Sequence, residues 1–424
     1  MKVVKLSELG PGLLERLVRR GPEGLSSVME EVRRIVAEVR DRGDEALRRL
    51  SRQFDGVEVE DWRLEADEEE VEGAYRAVGE GGLRAIREAI ANVRRFHEAT
   101  RPASSSIKVV EGLVAGRLVK PLRRVGVYVP RGRAGYPSTA IMTVVPAKVA
   151  GVEEVIVCTP PLKDGRAPPS TLVAAVEAGA DRVFKVGGAH AIAAMAYGTQ
   201  SIPRVEKVVG PGGLYVTAAK VAVSLDVAVD LPAGPSEIVV LADEADPALV
   251  AMDLLAQAEH GPGSMAILIT TSVKLAEEVA REVEGAGAPE GLGERALAIV
   301  VEDLGRAVEL VNELAPEHVE LLVKDPMKAL GSLRNAGAVF VGPLSAAALG
   351  DYVAGPSHVL PTGGYARAFS GLSCRDFVKE VSFVACLPQG LRAVGRAAVE
   401  LARMEGFEFH ALSIEERLRR LGEG

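Results

Sequence analysis

The stretch SEIVVLADEADPALVAMDLLAQAEHGPGSMAILITT, residues 236–271, decides the fold class of this chain. Both of its ends are short runs of β-branched and aliphatic residues, which predict strands. The segment 246–259 between them predicts a helix that starts near Pro247. A strand, a helix and a second strand in this order are typical of a β-α-β unit, whose two strands lie parallel in one sheet.

The alternation of strand and helix patterns extends in both directions from this stretch. From about residue 108 onward, Ala-rich helical segments separate the strand-like runs RVGVYVP, EEVIVCTP, DRVFKVGG, KVVG and VAVDLP, and after residue 271 come ALAIVV, HVELLV and AVFVG. Residues 1 to about 105, and those after about 375, instead follow helical spacing. We therefore predict an α/β fold with two Rossmann-like parallel-sheet domains, a helical N-terminal segment and a small helical C-terminal tail.

The predicted domain boundaries follow these changes in pattern. The helical N-terminal segment comprises residues 1–107, part of which packs with the first α/β domain. That domain comprises 108–127 and 237–375, the second α/β domain is inserted as 128–236, and the tail comprises 376–424. The tail is short for an independent domain, so we expect it to pack on another element, such as a second subunit.

Composition and charge exclude several classes of function. The chain has 424 residues, of which 48% are hydrophobic and 26% charged, and its formal net charge is −9. The sequence has neither a run of about 20 apolar residues nor the apolar segment of a signal peptide. We therefore expect a cytoplasmic protein that does not associate with membranes. The negative charge argues against a nucleic-acid partner, and the basic cluster Arg417, Arg419 and Arg420 is typical of a solvated helix end.

The cysteines Cys158, Cys374 and Cys386 form neither a metal-type spacing nor a disulfide framework. Cys158 ends the apolar run EVIVC, and we predict it to be a buried strand residue. Cys374 lies in a stretch rich in Gly and Ser, and we predict it to be more accessible. No histidine-bearing motif points to it, so we expect no catalytic thiol.

Two short motifs carry a histidine beside another polar side chain. Gln257 and His260 end the predicted helix one turn apart, so both side chains emerge on one face. Imidazole is a good zinc ligand, but a Gln oxygen is an uncommon one, so metal binding and a helix-terminal hydrogen bond both stay open. Glu317 and His318 lie where the strand HVELLV begins. If the backbone bends there, both side chains can serve one cleft as acid and base; otherwise they are a surface Glu and a packed His.

Two further segments and two turns are candidates for a site. The segment 350–364, GDYVAGPSHVLPTGG, places Asp351 and His358 on a stretch too rich in Gly and Pro for a regular element, which indicates a site. Residues 404–410, MEGFEFH, place an acid and an imidazole at the end of a C-terminal helix. Gly-rich turns at 186–190 and 209–213 follow predicted strands and suit either a cofactor phosphate or close packing.

Taken together, these segments resemble the histidinol dehydrogenase family. The resemblance covers nearly the whole chain, from FDGVEV near residue 54 to EGFEFH near residue 410. The motifs that carry it include VGVYVPRGRAGYPSTAIMTVVPAKVAG, GTQSIPRVEKVVGPG, DLPAGPSE, LLAQAEHGP, LAPEH, NAGAVFVG and GDYVAGPSHVLPTGG. Each motif is moderately specific, and their order and spacing together are very specific.

The resemblance implies roles for individual residues. Those that match the family's zinc ligands are Gln257, His260, Asp351 and His410. The acid/base pair is matched by Glu317 and His318, additional substrate contacts by Ser236 and Glu405, and a cofactor contact by Tyr128. In this family the substrate coordinates zinc, so the zinc ligands, and His318 with them, are expected to contact it. His190 and Gly213 occupy cofactor-contact positions where the family normally has Gln and Asn, and Ser357 stands where Asn is usual.

The implied function is the two-step, four-electron oxidation of L-histidinol through L-histidinaldehyde to L-histidine, the last step of histidine biosynthesis. The implied cofactors are two NAD per substrate and one Zn²⁺ per subunit. The implied assembly is a homodimer with shared active sites, in which the C-terminal Glu and His come from the partner subunit. Three alternatives are a paralogous dehydrogenase of another small polar alcohol, a zinc hydrolase, and a catalytically silent metal-binding or regulatory protein.

Overall fold

Strands and helices alternate along most of the chain. The computed structural model describes residues 1–18, 24–59, 62–132, 134–230, 234–261, 263–286 and 296–422. Its strands are β1 (Lys2–Lys5), β2 (Ser105–Val110), β3 (Leu113–Pro121), β4 (Arg124–Tyr128), β5 (Glu154–Cys158), β6 (Arg182–Phe184), β7 (Lys207–Val209), β8 (Ala228–Val229), β9 (Glu237–Ala242), β10 (Met265–Thr270), β11 (Ala296–Val300), β12 (His318–Leu322), β13 (Ala338–Val341) and β14 (Val378–Cys386).

The α-helices are α1 (Pro11–Val18), α2 (Leu25–Arg42), α3 (Asp44–Asp55), α4 (Glu68–Thr100), α5 (Pro137–Ala150), α6 (Pro169–Ala178), α7 (Gly188–Tyr197), α8 (Leu214–Val223), α9 (Pro247–Ala258), α10 (Val273–Gly285), α11 (Leu304–Leu314), α12 (Pro326–Ser332), α13 (Ala347–Tyr352), α14 (Pro388–Met404) and α15 (Glu408–Arg420). The chain divides into a larger unit, Met1–Thr100 with Leu122–Phe377, and a smaller unit, Arg101–Pro121 with Val378–Gly424. No helix in the described part of the chain is long and apolar enough to cross a membrane.

The larger unit contains a parallel sheet that, among the described residues, has six strands in the order β1-β11-β10-β9-β12-β13. Every residue of β9 is buried, because helices cover both faces of the sheet. On one face Ile238 shares a hydrophobic cluster with Leu254 of α9, and on the other Val239 shares one with Val311 of α11. This two-sided cover explains why EIVVLA is a nearly continuous apolar run.

The larger unit also contains a second parallel sheet, in which the described residues contribute five strands in the order β6-β5-β4-β7-β8. Helices α5 and α6 lie beside α4, whereas α7 and α8 lie beside α2. The amphipathic helices near the N-terminus therefore cover this sheet, while β1 pairs with β11 of the other sheet. The mixed α/β class with parallel sheets is confirmed.

The smaller unit is built on antiparallel strands. Among the described residues, three strands form its sheet in the order β14-β3-β2, and β14 pairs with β3 from Val378 opposite Pro121 to Cys386 opposite Leu113. Helices α14 and α15 contact each other, and Gly395 of α14 lies against Leu418 of α15. The segment predicted as a helical tail therefore begins with a strand.

The strand pairing differs from the predicted segmentation in one further respect. Residues 108–127 were assigned to the domain of 237–375, but β4 hydrogen-bonds to β5 and β7 of the five-stranded sheet, and β3 belongs to the smaller unit. The physical reason is that β4, α5 and β5 form one strand-helix-strand connection, which returns to the same sheet. The predicted domain boundaries as a whole remain a prediction.

The cysteines lie in different environments. Cys158 is fully buried in β5, as predicted. The prediction that Cys374 is more accessible was wrong, because its side chain is buried and its Sγ lies 3.4 Å from the carbonyl oxygen of Pro146. Since α5 packs over this turn, the Gly- and Ser-rich sequence around Cys374 does not expose it.

Candidate functional site

The predicted acid/base pair lies at the amino-terminal edge of the six-stranded sheet, where α11 gives way to β12. Ala315 ends α11 in the left-handed region, with φ of 46°, a conformation that residues with a side chain rarely adopt. The chain turns there before β12 begins at His318, opposite Ile238 of β9. After this turn the two adjacent side chains lie close together, with Oε2 of Glu317 3.7 Å from Nδ1 of His318.

The Glu317 carboxylate is held by hydrogen bonds at one oxygen. Its Oε2 accepts from the Ser236 hydroxyl at 2.6 Å and from the backbone N–H of Glu237 at 2.9 Å, and it lies 3.7 Å from Nδ1 of His318. Burial raises the pKa of Glu317, against the opposing effects of His318 and of both hydrogen bonds. A buried carboxylate of raised pKa is a stronger proton acceptor than an exposed one.

The His318 ring has one hydrogen-bonded nitrogen and one without a partner. Nδ1 lies 3.1 Å from the carbonyl oxygen of Glu237, and since a carbonyl only accepts, Nδ1 carries the proton. Nε2 is buried without a hydrogen-bond partner among the described residues and lies 3.6 Å from Oδ1 of Asp351. Nε2 is therefore the ring nitrogen that faces Asp351.

Asp351 lies in the last turn of the short helix α13, although the Gly-rich sequence indicated an irregular segment. Its backbone carbonyl accepts from Nδ1 of His358 at 2.7 Å, and Nε2 of His358 lies 3.2 Å from the Thr139 hydroxyl. Burial lowers the pKa of His358, and the charges of His318 and His260 lower it further. With both nitrogens engaged, the His358 ring connects the Asp351 turn to α5.

Gln257 and His260 lie at the end of α9. The Gln257 side chain is buried, and its Nε2 has no hydrogen-bond partner within the described residues. His260 follows the helix, donates its backbone N–H to the carbonyl of Gln257 at 3.2 Å, and is exposed. No group of three or more His, Cys, Asp and Glu side chains among the described residues could hold a metal ion. The larger unit offers instead an amide, an imidazole and a carboxylate.

Glu405 and His410 belong to the smaller unit. Glu405 follows α14, and His410 lies in the first turn of α15, where its ring stacks on Phe407 with centroids 5.0 Å apart. Both side chains are exposed, and so are the neighbouring Met404 and Phe409.

The predicted cofactor contacts lie at the carboxyl edge of the five-stranded sheet. The buried Tyr128 ends β4, and its hydroxyl accepts from the N–H of Gly188 at 3.1 Å. Gly210 has φ of 117°, and a Cβ there would lie 2.1 Å from the carbonyl oxygen of Tyr128, so only glycine fits this turn. Gly213 is exposed at the start of α8, where helix N–H groups suit an anion.

His190 is directed into the protein interior. Its ring is buried, and Nε2 lies 3.2 Å from the Ser51 hydroxyl and 3.5 Å from Oδ2 of Asp55, both on α3. The sequence did not identify these two partners, since they lie about 140 residues away. Glu237 was also missed as a site residue, and the signal for it was an acidic residue at the start of an otherwise apolar strand.

Known proteins match nearly the whole length of this chain. A family model described as histidinol dehydrogenase matches residues 18–418. The chain is 46% identical over 410 residues to the histidinol dehydrogenase of Archaeoglobus fulgidus, covering 96% of this chain and 100% of that protein. It is 48% identical over 404 residues to that of Halalkalibacterium halodurans, covering 93% and 95%. The crystal structure of histidinol dehydrogenase from Elizabethkingia anophelis superposes with a TM-score of 0.94 at 32% identity, covering 100% and 99%.

Proposed function

This chain belongs to the histidinol dehydrogenase family, and on that premise we propose that it oxidises histidinol in the cleft between Ser236, Glu317, His318 and Asp351. The family makes it an oxidoreductase of histidine biosynthesis that uses NAD. The observation that carries the proposed site is the buried Nε2 of His318, a ring nitrogen without a hydrogen-bond partner in the described chain. A buried polar atom of this kind is unfavourable unless a ligand satisfies it.

His318 is the proposed base for the first oxidation. Its Nδ1 proton is committed to the carbonyl of Glu237, so Nε2 is the atom that accepts the proton of the substrate hydroxyl. Bound NAD would supply the hydride acceptor for both oxidations. An imidazole can release its proton again near neutral pH, which a two-step reaction requires.

Glu317 is the proposed base for the addition of water between the two oxidations. Ser236 and the N–H of Glu237 hold its Oε2, and its other oxygen is left to accept a proton from water. The raised pKa of Glu317 favours this acceptance. Ser236 would contact the substrate as well as orient the carboxylate.

The donor groups fit a zinc ion. We propose that Gln257, His260 and Asp351 supply an amide oxygen, an imidazole nitrogen and a carboxylate oxygen, and that His410 supplies a second imidazole to each zinc. Gln257 supports this assignment because its side chain is buried at the end of α9, one helical turn before His260. Bound zinc would hold the nitrogens of the substrate and so keep the aldehyde from leaving between the two steps.

We propose a homodimer in which the smaller unit of one protomer contributes Glu405 and His410 to the active site of the other. The exposure of both side chains beside exposed Met404 and Phe409 supports this arrangement. Glu405 would then contact the substrate.

We propose that NAD binds at the carboxyl edge of the five-stranded sheet. Tyr128 and Gly213 lie at this edge, where nucleotides commonly bind in parallel sheets. His190 lies there too, but its ring is buried against Ser51 and Asp55 of α3, so we propose that it holds α7 in place rather than contacting the cofactor.

One experiment tests the proposed function as a whole. Purified protein with histidinol and excess NAD should produce two NADH per histidinol consumed, and a chelator should abolish the reaction until zinc is restored. Another alcohol preferred over histidinol would indicate the paralogous dehydrogenase, and zinc-dependent hydrolysis without NAD would indicate the hydrolase. Zinc binding without turnover would indicate a silent metal-binding protein. Each of these three outcomes contradicts the proposal.

A further inference from the structure

Two carboxyl groups meet beneath the proposed metal site, between β12, α9 and α13. Glu320 is buried in β12, and its Oε1 accepts the backbone N–H of Ala347 at 2.6 Å. Its other oxygen, Oε2, is buried and has no hydrogen-bond donor as a partner within the described chain. The acidic group that acts on Glu320 is the carboxyl of Asp253 on α9, through its charge and a carboxyl–carboxyl interaction.

A hydrogen bond between two carboxyl groups requires a proton on one of them, because an ionised carboxylate only accepts. Burial is the main reason that the pKa of Glu320 is raised, to about 8, and the charge of Asp253 adds to it. Glu320 therefore carries the proton at neutral pH and donates it to Asp253. This arrangement buries one negative charge instead of two.

The three elements joined at this point each carry one residue of the proposed site. On β12, Glu320 lies two residues after His318, so both side chains project from the same face of the strand. On α9, Asp253 lies one helical turn before Gln257. On α13, Ala347 lies one turn before Asp351.

We propose that the Asp253–Glu320 pair is a positioning device, which ties α9 and α13 to β12 and so holds Gln257 and Asp351 at the spacing that zinc requires. Neither carboxyl contacts substrate or metal in this arrangement. The proposal rests on the proposed function, since it takes Gln257 and Asp351 as zinc ligands. Its consequence is that zinc affinity depends on a hydrogen bond one turn away from the ligands.

Two variants of Glu320 separate the hydrogen bond from the shape of the side chain. In Glu320→Gln the amide can accept from Ala347 and donate to Asp253, so both bonds are kept. In Glu320→Met a side chain of similar length keeps neither bond. Zinc affinity is measured on the metal-free full-length protein by competition with a chromogenic chelator, and kcat and KM for histidinol are measured with saturating zinc.

The expected result is that Glu320→Met binds zinc at least tenfold more weakly than the natural protein, whereas Glu320→Gln stays within threefold. With saturating zinc, Glu320→Met should recover most of its kcat. Asp253→Ala breaks the same bond from the half-buried partner, and it should lower zinc affinity by a similar factor. This variant keeps the test usable if Glu320→Met does not fold.

Glu70→Met is a matched control for lost stability. The Glu70 carboxylate likewise accepts a backbone N–H, that of Ala167 at 2.7 Å, and its other oxygen bonds to buried Lys185, but it lies beside the five-stranded sheet. This variant should lose stability and keep its zinc affinity. If Glu70→Met loses as much zinc affinity as Glu320→Met, the loss is due to general destabilisation, and the proposal is overturned.

Two other results would also overturn the positioning role. One is unchanged zinc affinity in folded Glu320→Met and Asp253→Ala, and the other is an equal loss in Glu320→Gln and Glu320→Met. The zinc affinities of Gln257→Ala and Asp351→Ala distinguish failure of the positioning role from failure of the proposed function. If they weaken zinc binding while the Glu320 variants do not, only the positioning role is wrong, and if they leave it unchanged, the proposed zinc site is wrong.

Discussion

Replacing Glu320 by glutamine should change how the free energy of unfolding depends on pH. The pKa of Glu320 is raised from 4.5 to about 8 in the folded protein, so between these values the folded state holds one proton more than the unfolded chain. Stability from this group is therefore complete below pH 4.5 and is lost as pH rises toward 8. The loss is about 1.4 kcal/mol per pH unit for one proton.

The glutamine side chain of the variant has no proton to lose and lacks this slope. The free energy of unfolding of Glu320→Gln should rise relative to that of the natural protein by about 2–3 kcal/mol between pH 5 and pH 7. Above pH 8 the difference should level off, because Glu320 is then ionised in both states. Near neutral pH the variant should be the more stable protein. Its amide keeps both hydrogen bonds, and its folding does not require the uptake of a proton from solution.

Urea unfolding at a series of pH values measures this difference. The chain has one tryptophan, Trp62, which is buried in the larger unit and donates Nε1–H to the carbonyl of Gly165 at 2.7 Å. Its fluorescence and far-UV circular dichroism together follow unfolding, and refolding on dilution establishes reversibility. Curves for the two proteins that stay parallel within about 0.5 kcal/mol from pH 5 to pH 7 would refute a proton on Glu320.

Three further predictions concern the site. His318→Asn should slow the first oxidation at least about 100-fold with folding unchanged, because it removes the basic Nε2. Rapid-mixing measurement of the first NADH formed tests this, and a rate within a few-fold of the natural protein's would contradict it. Glu317→Gln should impair oxidation of added histidinaldehyde more than its formation from histidinol, and equal losses in the two half-reactions would point to a structural role. Thr139→Val should lower the free energy of unfolding by about 0.5–1.5 kcal/mol, because Nε2 of half-buried His358 loses its hydroxyl partner. Unchanged thermal unfolding would contradict this prediction.

Most helices and strands could be predicted from the sequence because their signals are local. The apolar run of β9 and the helical spacing of α9 depend on neighbours within a few residues, and both elements lie where the patterns place them. The zinc and acid/base candidates came from family motifs, since Gln257 with His260 or Glu317 with His318 is ambiguous as spacing alone. Their assignment to roles remains a prediction.

The amino-acid sequence by itself determined the α/β class, the family and the identity of the residues at each motif. Only the tertiary structure decided which strands pair, that Cys374 is buried, that His190 contacts α3, and that Asp253 meets Glu320. The physical reason is that secondary structure follows short-range periodicity, whereas protonation states and hydrogen-bond partners depend on groups far apart in the chain. Glu320 shows the difference: in the sequence HVELLV it is one acidic residue, and in the fold it is a buried acid that keeps its proton at neutral pH.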